Sequence, residues 1–176
     1  MTIAGARDTI QRKVCMLGSF GVGKTSLVER LVRNTFSQHP RTAVGVRIDK
    51  ATVEVDGRKM NMIVWDMHSE EDLRQILKSY LRGAAGYILV ADGTRPSSLD
   101  EAVEIMGLTK TASGEPSRVL LLNKADLTED WRLESSRVDD LNRRGLTVLK
   151  TSARTGKGVT EAFATLGRAI LGRTTQ

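Results

Sequence analysis

Residues Gly18-Ser-Phe-Gly-Val-Gly-Lys-Thr25 decide the fold, because they match the pattern Gly-x-x-x-x-Gly-Lys-(Ser/Thr). An apolar run over residues 13–17 precedes them, and residues 25–33 behind them place apolar side chains at helical spacing. Between a strand and a helix, such glycines let backbone N–H groups surround an anion, and the helix N-terminus adds partial positive charge. The stretch therefore predicts a phosphate-binding P-loop, in which Lys24 reaches the phosphates and the Thr25 hydroxyl coordinates Mg²⁺.

Apolar runs and helical spacing alternate along the rest of the chain. The apolar runs predict further strands over residues 46–55, 59–65, 87–91, 119–122 and 146–150. Asp56-Gly57, between the first two of these strands, predicts a tight hairpin. Helical spacing predicts helices over residues 72–82, from Pro96 onward, over 129–143 and over 159–171. The pattern predicts an α/β P-loop NTPase fold, with a doubly wound, mostly parallel six-stranded sheet, helices on both faces and one antiparallel edge strand.

Length and composition favour one cytoplasmic domain. The 176 residues contain no linker or repeat, so we expect a tail at 1–10, a nucleotide-binding domain at 11–172 and a tail at 173–176. The single cysteine, Cys15, cannot form an internal disulfide, which fits a reducing compartment. We expect neither a membrane span nor a secretory signal, because no apolar run is long enough. We also expect no direct lipid anchor, since the chain ends without a cysteine and Thr2 stands where myristoylation needs glycine.

The net charge of +6 is concentrated towards the C-terminus. From Arg137 onward, eight basic residues stand against three acidic ones. Aromatic residues are not interleaved with these bases, as they would be on a surface that stacks single-stranded nucleic acid. We interpret the bases as solvated helix faces and do not expect nucleic acid as a partner.

The motif Asn123-Lys-Ala-Asp126 distinguishes between nucleotides. It follows the predicted strand over 119–122, so it emerges at the same sheet edge as the P-loop. The Asp126 carboxylate can accept hydrogen bonds from the ring N–H and the exocyclic amine of guanine, whereas adenine would present an acceptor to it. A site built on such bonds discriminates by on the order of 10⁴. The motif predicts guanine-nucleotide binding and argues against a small nucleotide kinase, which would leave it unexplained.

The chain resembles a Ras-superfamily small GTPase, nearest to the Rab-like branch, from about residue 12 to residue 171. The P-loop and Asn123–Asp126 carry the resemblance, together with Ile63-Val-Trp-Asp66 and Thr151-Ser-Ala-Arg154. It implies a molecular switch that binds GTP or GDP with Mg²⁺ and hydrolyses GTP by in-line attack of water. It also implies an effector or regulator protein that binds the switch regions at 35–47 and 66–80.

The resemblance assigns the site residue by residue. For Mg²⁺ it implies Thr25, Thr42 and Asp66. Two assignments stay open: Phe36 can instead face the core, and Ala43 rather than Thr42 falls on the metal position if its spacing from Phe36 is kept. For the guanine nucleotide the resemblance implies contacts from Gly21, Val22, Gly23, Lys24, Thr25, Ser26, Phe36, Asn123, Lys124, Asp126, Ser152, Ala153 and Arg154.

Three departures from the family pattern fall on positions that act in hydrolysis beside Lys24. Phe20 occupies a P-loop position that relatives keep small, where the attacking water and an arginine finger must fit. Ser69 replaces a glycine whose N–H senses the γ-phosphate, so its Cβ restricts that approach. Glu70 stands where a glutamine orients the water, and a carboxylate cannot donate to the phosphoryl oxygens and repels them. Glu70 can also be a solvated acid without a role.

Two functional hypotheses follow from these residues. The first is a guanine-nucleotide switch with slow Mg²⁺-dependent hydrolysis of GTP. The second is a nucleotide-locked interaction module with negligible hydrolysis. His68, next to the atypical positions, is either a surrogate that positions water or an ordinary surface residue.

Overall fold

Each apolar run that predicts a strand forms one. The computed structural model describes residues 9–34, 46–67, 73–109 and 116–174. Within these residues the strands are β1 (Ile10–Leu17), β2 (Val46–Val55), β3 (Arg58–Met67), β4 (Ala84–Asp92), β5 (Ser117–Asn123) and β6 (Val148–Lys150). The helices are α1 (Lys24–Arg33), α2 (Leu73–Tyr80), α3 (Pro96–Thr109), α4 (Ser135–Arg143) and α5 (Val159–Thr174).

The strands form one sheet in the order β2-β3-β1-β4-β5-β6. β2 lies at the edge and runs antiparallel to β3, while the other described pairs are parallel. Asp56 and Gly57 join β2 to β3 with φ angles of 49° and 75°, which are those of a tight hairpin turn. The predicted doubly wound α/β fold is therefore confirmed, including its antiparallel edge strand.

Alternate residues of the central strands enter two separate cores. Val14 and Met16 of β1 lie in the core that contains Phe163 of α5. Cys15 and Leu17 lie in the opposite core, together with residues of α2 and α3. Because the central strands are covered on both faces, their runs are apolar throughout. The carboxyl ends of β1, β3 and β5 meet at one edge of the sheet, where the loops that carry the motifs lie.

The fourth helix is shorter than predicted. Helical spacing predicts a helix over 129–143, but α4 begins at Ser135, so the first part of that prediction is wrong. Trp131 lies outside the helix because its ring packs against Gly93, where an added Cβ would meet ring carbon Cζ3 at 1.9 Å. The Arg132 N–H also donates to the Gly93 carbonyl at 2.9 Å. Tertiary contacts here outweigh the local preference for helix.

Other element ends differ by a few residues. β6 covers only the last part of the run over 146–150, because the Leu146 N–H donates to the Leu141 carbonyl near the end of α4. β1 begins at Ile10 and α5 ends at Thr174, so regular structure extends slightly past 11–172. Among the described residues, no helix combines the length and the apolar character that crossing a bilayer requires.

Candidate nucleotide-binding site

The P-loop leads from β1 into α1, and three of its glycines adopt conformations that favour glycine. Gly18, Gly21 and Gly23 have φ angles of 146°, 75° and 99°. A Cβ on Gly18 would lie 2.4 Å from the Val90 carbonyl oxygen, and one on Gly23 would lie 2.3 Å from the Asn123 side-chain nitrogen. The loop is therefore packed closely against the ends of β4 and β5.

Lys24, the first residue of α1, folds back against the P-loop. Its Nζ donates to the carbonyls of Gly18 at 2.6 Å and Ser19 at 3.0 Å. The ammonium lies at the positive end of a helix that has no acidic residue in its first turn. A turn of glycine peptides, one cation and a helix N-terminus together fit a phosphate group.

Two side chains that could coordinate a metal through oxygen meet beside the P-loop. The Thr25 hydroxyl donates to Asp66 Oδ2 at 2.5 Å, and the Asp66 carboxylate at the end of β3 is buried. Mg²⁺ prefers oxygen ligands and takes one or two from the protein, with phosphate and water completing its shell. In the described parts of the chain no group of three or more His, Cys, Asp or Glu residues could hold a metal. Thr25 and Asp66 fit a Mg²⁺ that is shared with phosphate, whereas Thr42 lies outside the described residues.

Asn123, at the end of β5, connects three loops. Its Nδ2 donates to the Val22 carbonyl of the P-loop at 3.0 Å. Its Oδ1 accepts hydrogen bonds from the Thr151 hydroxyl and the Ala153 N–H, both at 3.2 Å. Since the side chain is buried, these bonds are shielded from water. The resemblance implies a contact between Asn123 and the nucleotide, and in the structure its amide holds together the loops that flank the site.

Asp126 is held by a neighbouring loop. The Ser152 hydroxyl donates to Asp126 Oδ1 at 2.6 Å, and Ser152 Oγ itself accepts the Thr155 N–H at 3.1 Å. The Ala125 N–H donates to the Thr151 carbonyl at 3.0 Å, which brings the two loops together. One carboxylate oxygen of Asp126 is thereby fixed, while the other has no hydrogen bond to the described residues. An oriented carboxylate of this kind suits a ligand with two adjacent N–H donors.

Lys124 is paired with an aspartate that no motif predicts. Its Nζ lies 2.6 Å from Asp92 Oδ2, and its backbone has a positive φ of 66°. Burial of Asp92 opposes its charged form, but hydrogen bonds from Lys124 and Thr94 outweigh this effect and lower the pKa of the Asp92 carboxyl. The pair connects the end of β4 to the Asn123–Asp126 loop.

Arg30, on α1, is a second residue that the motifs miss. Its Nε donates to the Ala153 carbonyl at 2.8 Å and its Nη2 to the Arg154 carbonyl at 2.5 Å. Its Nη1 donates to the carbonyl of Asn34, the residue that caps the C-terminus of α1, at 3.1 Å. One guanidinium therefore connects the end of α1 to the loop of Ser152 and Ala153. The only sequence signal is a basic residue on a helix, which by itself predicts a solvated face.

The remaining predicted site residues are distributed as follows. Val22 is fully buried, Ser26 is half-buried in the first turn of α1, and Gly21 and Arg154 are exposed. Phe20 is 65% exposed, the largest value among the exposed large hydrophobic residues described. Six residues discussed for the site or for hydrolysis lie outside the described residues, namely Phe36, Thr42, Ala43, His68, Ser69 and Glu70.

Known proteins match this chain over nearly its whole length. A profile of the Ras family matches residues 13–172. Ras-related protein Rab-13 of Bos taurus is 34% identical over 161 residues, which cover 90% of this chain and 79% of that protein. Ras-related protein Rab-8B of Homo sapiens is also 34% identical over 161 residues, with 90% and 78% covered. Ras-related protein Rab-4 of Dictyostelium discoideum is 36% identical over 163 residues, again with 90% and 78% covered. Because the profile matches residues 13–172 and these relatives are 34–36% identical over 90% of this chain, the chain belongs to the Ras family, as a GTP-binding small GTPase of the Rab-like kind.

Proposed function

We propose that this protein is a guanine-nucleotide switch whose own hydrolysis of GTP is slow. The observation that carries the proposal is the position of Asn123. Its amide donates to the Val22 carbonyl of the P-loop and accepts the Ala153 N–H of the Thr151–Arg154 loop. The cation at the P-loop and the carboxylate of Asp126 thus lie along one edge, joined by one side chain. A ligand that uses both needs a phosphate tail and a purine with adjacent donors, as GTP and GDP have.

The chain's own residues supply binding and orientation. Lys24 offsets phosphate charge, and Asp126, oriented by Ser152, accepts hydrogen bonds from guanine. Thr25 and Asp66 would hold Mg²⁺, which would supply positive charge that neutralises the phosphates. Water then attacks the γ-phosphorus, the bond to the β-γ bridging oxygen breaks, and GDP and phosphate leave.

Denaturing the purified protein and identifying the nucleotide that it releases tests which base the site binds. We expect GDP or GTP, and GTP would also indicate that turnover is stalled.

In titration calorimetry, Asp126→Ala should weaken GTP binding by at least about 100-fold, because the guanine donors lose a charged acceptor. Asp130→Ala is the matched control, since Asp130 is an exposed aspartate of the same loop. ATP bound as firmly as GTP would contradict the proposal.

The slow rate is proposed from the atypical residues. Phe20 puts an exposed aromatic ring on the P-loop, where an arginine finger from a partner has to enter. Ser69 and Glu70 add to this proposal from the sequence pattern alone. We expect an intrinsic rate at or below about 10⁻⁴ s⁻¹, the order of unassisted Ras-type switches.

Single-turnover hydrolysis measures this rate directly. If Phe20 and Glu70 slow the reaction, Phe20→Gly combined with Glu70→Gln should raise the rate above that of the wild type. A wild-type rate near about 10⁻² s⁻¹, the order reached by systems with an arginine in cis, would contradict the proposal.

An effector or regulator protein is proposed to bind the switch regions at 35–47 and 66–80. The described part of this surface is partly apolar, because Val46 on the edge strand β2 and Ile76 on α2 are exposed, and Ile48, just beyond the first region on β2, is 54% exposed. Ile48 pairs with the half-buried Trp65 across the hairpin. Exposed apolar side chains next to each other are typical of protein-binding surfaces.

The alternative function is a nucleotide-locked interaction module, which the sequence pattern at Ser69 and Glu70 favours. Hydrogen exchange of the GDP-bound and GTP-bound forms discriminates between the two. A switch should show nucleotide-dependent protection within residues 35–47 and 66–80. Equal protection in both forms, together with undetectable hydrolysis, would favour the locked module.

A further inference from the structure

The loop that joins β4 to α3 carries an arginine that reaches the P-loop. Arg95 Nη2 donates to the Phe20 carbonyl at 2.7 Å and to the Ser19 hydroxyl at 3.0 Å. We propose that Arg95 is a positioning residue of the nucleotide site, which holds the Phe20–Gly21 peptide in the orientation that binds phosphate. This inference rests on the proposed function and adds to it a residue that no nucleotide-binding motif contains.

The geometry of the peptide bond explains how a hydrogen bond to the Phe20 carbonyl also orients the Gly21 N–H, on the side where phosphate would bind. In a trans peptide the C=O and N–H groups point in opposite directions, and no described peptide is cis. Arg95 holds the Phe20 carbonyl, so the N–H of Gly21 in the same peptide points away from Arg95. Gly21 has a φ of 75°, in the region where glycine turns freely, so the loop itself restrains this peptide weakly. A bond from outside the loop is what restrains it.

The charge of Arg95 is not balanced by a carboxylate of the described residues. No ion pair joins Arg95 to an acidic residue in the described parts of the chain, and its Nε is buried without a hydrogen bond there. One of its terminal nitrogens lies 4.0 Å from the position that a Cβ on Gly21 would occupy. Arg95 is half-buried, so its charge is only partly solvated, and an anion bound at the adjacent loop would stabilise it.

Hydrogen bonds of its own backbone hold Arg95 in place. Its N–H donates to the Asp92 carbonyl at 3.0 Å, and its own carbonyl accepts from the Ser98 hydroxyl at 2.6 Å. Asp92 in turn pairs with Lys124 of the guanine motif. The loop that carries Arg95 is therefore fixed to the base end of the site, while its side chain contacts the phosphate end.

Nucleotide dissociation tests the inference. The full chain is loaded with a fluorescent GDP, and its release is followed after addition of excess unlabelled GDP. Arg95→Ala should release GDP about tenfold faster, because one charge-assisted hydrogen bond corresponds to at least that factor. Arg95→Lys, which keeps the charge and one donor, should fall between Arg95→Ala and the wild type. Arg137→Ala is the matched control, since Arg137 is partly exposed and pairs with Asp100 of α3, and it should release GDP at the wild-type rate.

A base-selectivity measurement separates positioning from general damage to the fold. The preference for GDP over ADP should be unchanged in Arg95→Ala, because Asp126 and Ser152 are not altered. Release within about twofold of the wild type, or a loss of base preference along with the faster release, would overturn the inference. So would slower GTP hydrolysis at unchanged GDP release, which would make Arg95 a catalytic residue. A wild type that binds no guanine nucleotide would instead refute the proposed function.

Discussion

At the scale of single residues, Arg30 shows how one side chain orders a loop that it does not belong to. Its guanidinium donates to the carbonyls of Ala153, Arg154 and Asn34. Bonds from a charged donor are worth more than neutral ones, and of the three acceptors the carbonyl of Ala153 belongs to a buried residue. The loop that flanks Asp126 therefore depends on α1 as well as on β6.

Replacing Arg30 by alanine should loosen this loop. We expect Arg30→Ala to release GDP about tenfold faster, which corresponds to the loss of one charge-assisted hydrogen bond. The measurement is the same fluorescent-GDP release. Arg33→Ala is the control on the same helix. The Arg33 side chain is about half exposed, and its Nη2 forms only a long ion pair, 3.8 Å from Asp49 Oδ1. Equal release rates for the two variants would show that Arg30 does not support the site.

Asp92 makes a prediction about acid stability. Burial opposes its ionisation, but bonds from Lys124 and Thr94 lower the pKa of its carboxyl below the ordinary 3.8. A pKa that is lower in the folded than in the unfolded state stabilises the protein above the unfolded value, and the gain is lost as pH falls through the folded value. The free energy of unfolding should therefore decline more steeply below pH 3.8 in the wild type than in Asp92→Asn.

Denaturant titrations across this pH range compare the two proteins. Asp100→Asn is a suitable control, because Asp100 is an exposed carboxylate that pairs with Arg137. If Asp92→Asn and the wild type lose stability in parallel on acidification, the Asp92–Lys124 pair contributes nothing.

At the scale of elements, the end of α2 is fastened to the sheet. Lys13 of β1 donates from its Nζ to the carbonyls of Tyr80 at 2.7 Å and Arg82 at 2.9 Å, and the ammonium lies 3.8 Å from the centre of the Trp65 ring. The Tyr80 hydroxyl donates to the Trp65 carbonyl at 2.5 Å. A cation at the C-terminus of a helix satisfies its last carbonyls and the helix dipole together.

Removing this cation should free the end of the helix. Lys13→Met keeps the aliphatic stem, and we expect it to lower the free energy of unfolding by about 1–3 kcal/mol, the cost of unmade bonds to a charged donor. Hydrogen exchange in the last turn of α2 should accelerate as well. Lys78→Met is the control at an exposed position on α2 itself. It should change the free energy of unfolding by no more than about 0.5 kcal/mol and leave hydrogen exchange in the last turn unchanged.

At the scale of the whole molecule, Cys15 reports on global unfolding. The thiol is fully buried in the centre of β1, and burial raises its pKa to about 12. A protonated, buried thiol reacts slowly, because the thiolate is the nucleophile. Cys15 is also the only cysteine in the sequence, so any label reports this position.

A thiol-reactive probe should therefore label the native protein only when it unfolds. We expect negligible labelling in buffer and one label per chain in denaturant. Since a ligand that binds only the folded state stabilises it, excess GDP with Mg²⁺ should slow labelling further. Rapid labelling of the native protein would mean that β1 opens without global unfolding.

The fold could be predicted from the P-loop motif and from the spacing of apolar residues, because both patterns are local in the chain. Every residue of the P-loop lies within the stretch 18–25, and each strand or helix is recorded in the spacing of its own apolar side chains. The same locality explains the one clear error, because the start of α4 depends on Trp131 packing against a distant glycine.

The sequence by itself determined the order of the elements and the phosphate loop, and it predicted Asp126 as the carboxylate for guanine, since each depends on residues close together in the chain. Tertiary structure alone decided how these parts are held in register. Asn123 contacts a carbonyl 101 positions away, Arg30 one 123 positions away, and Arg95 one 75 positions away. No local pattern records such contacts, because they exist only once the sheet has brought its strand ends to a common edge.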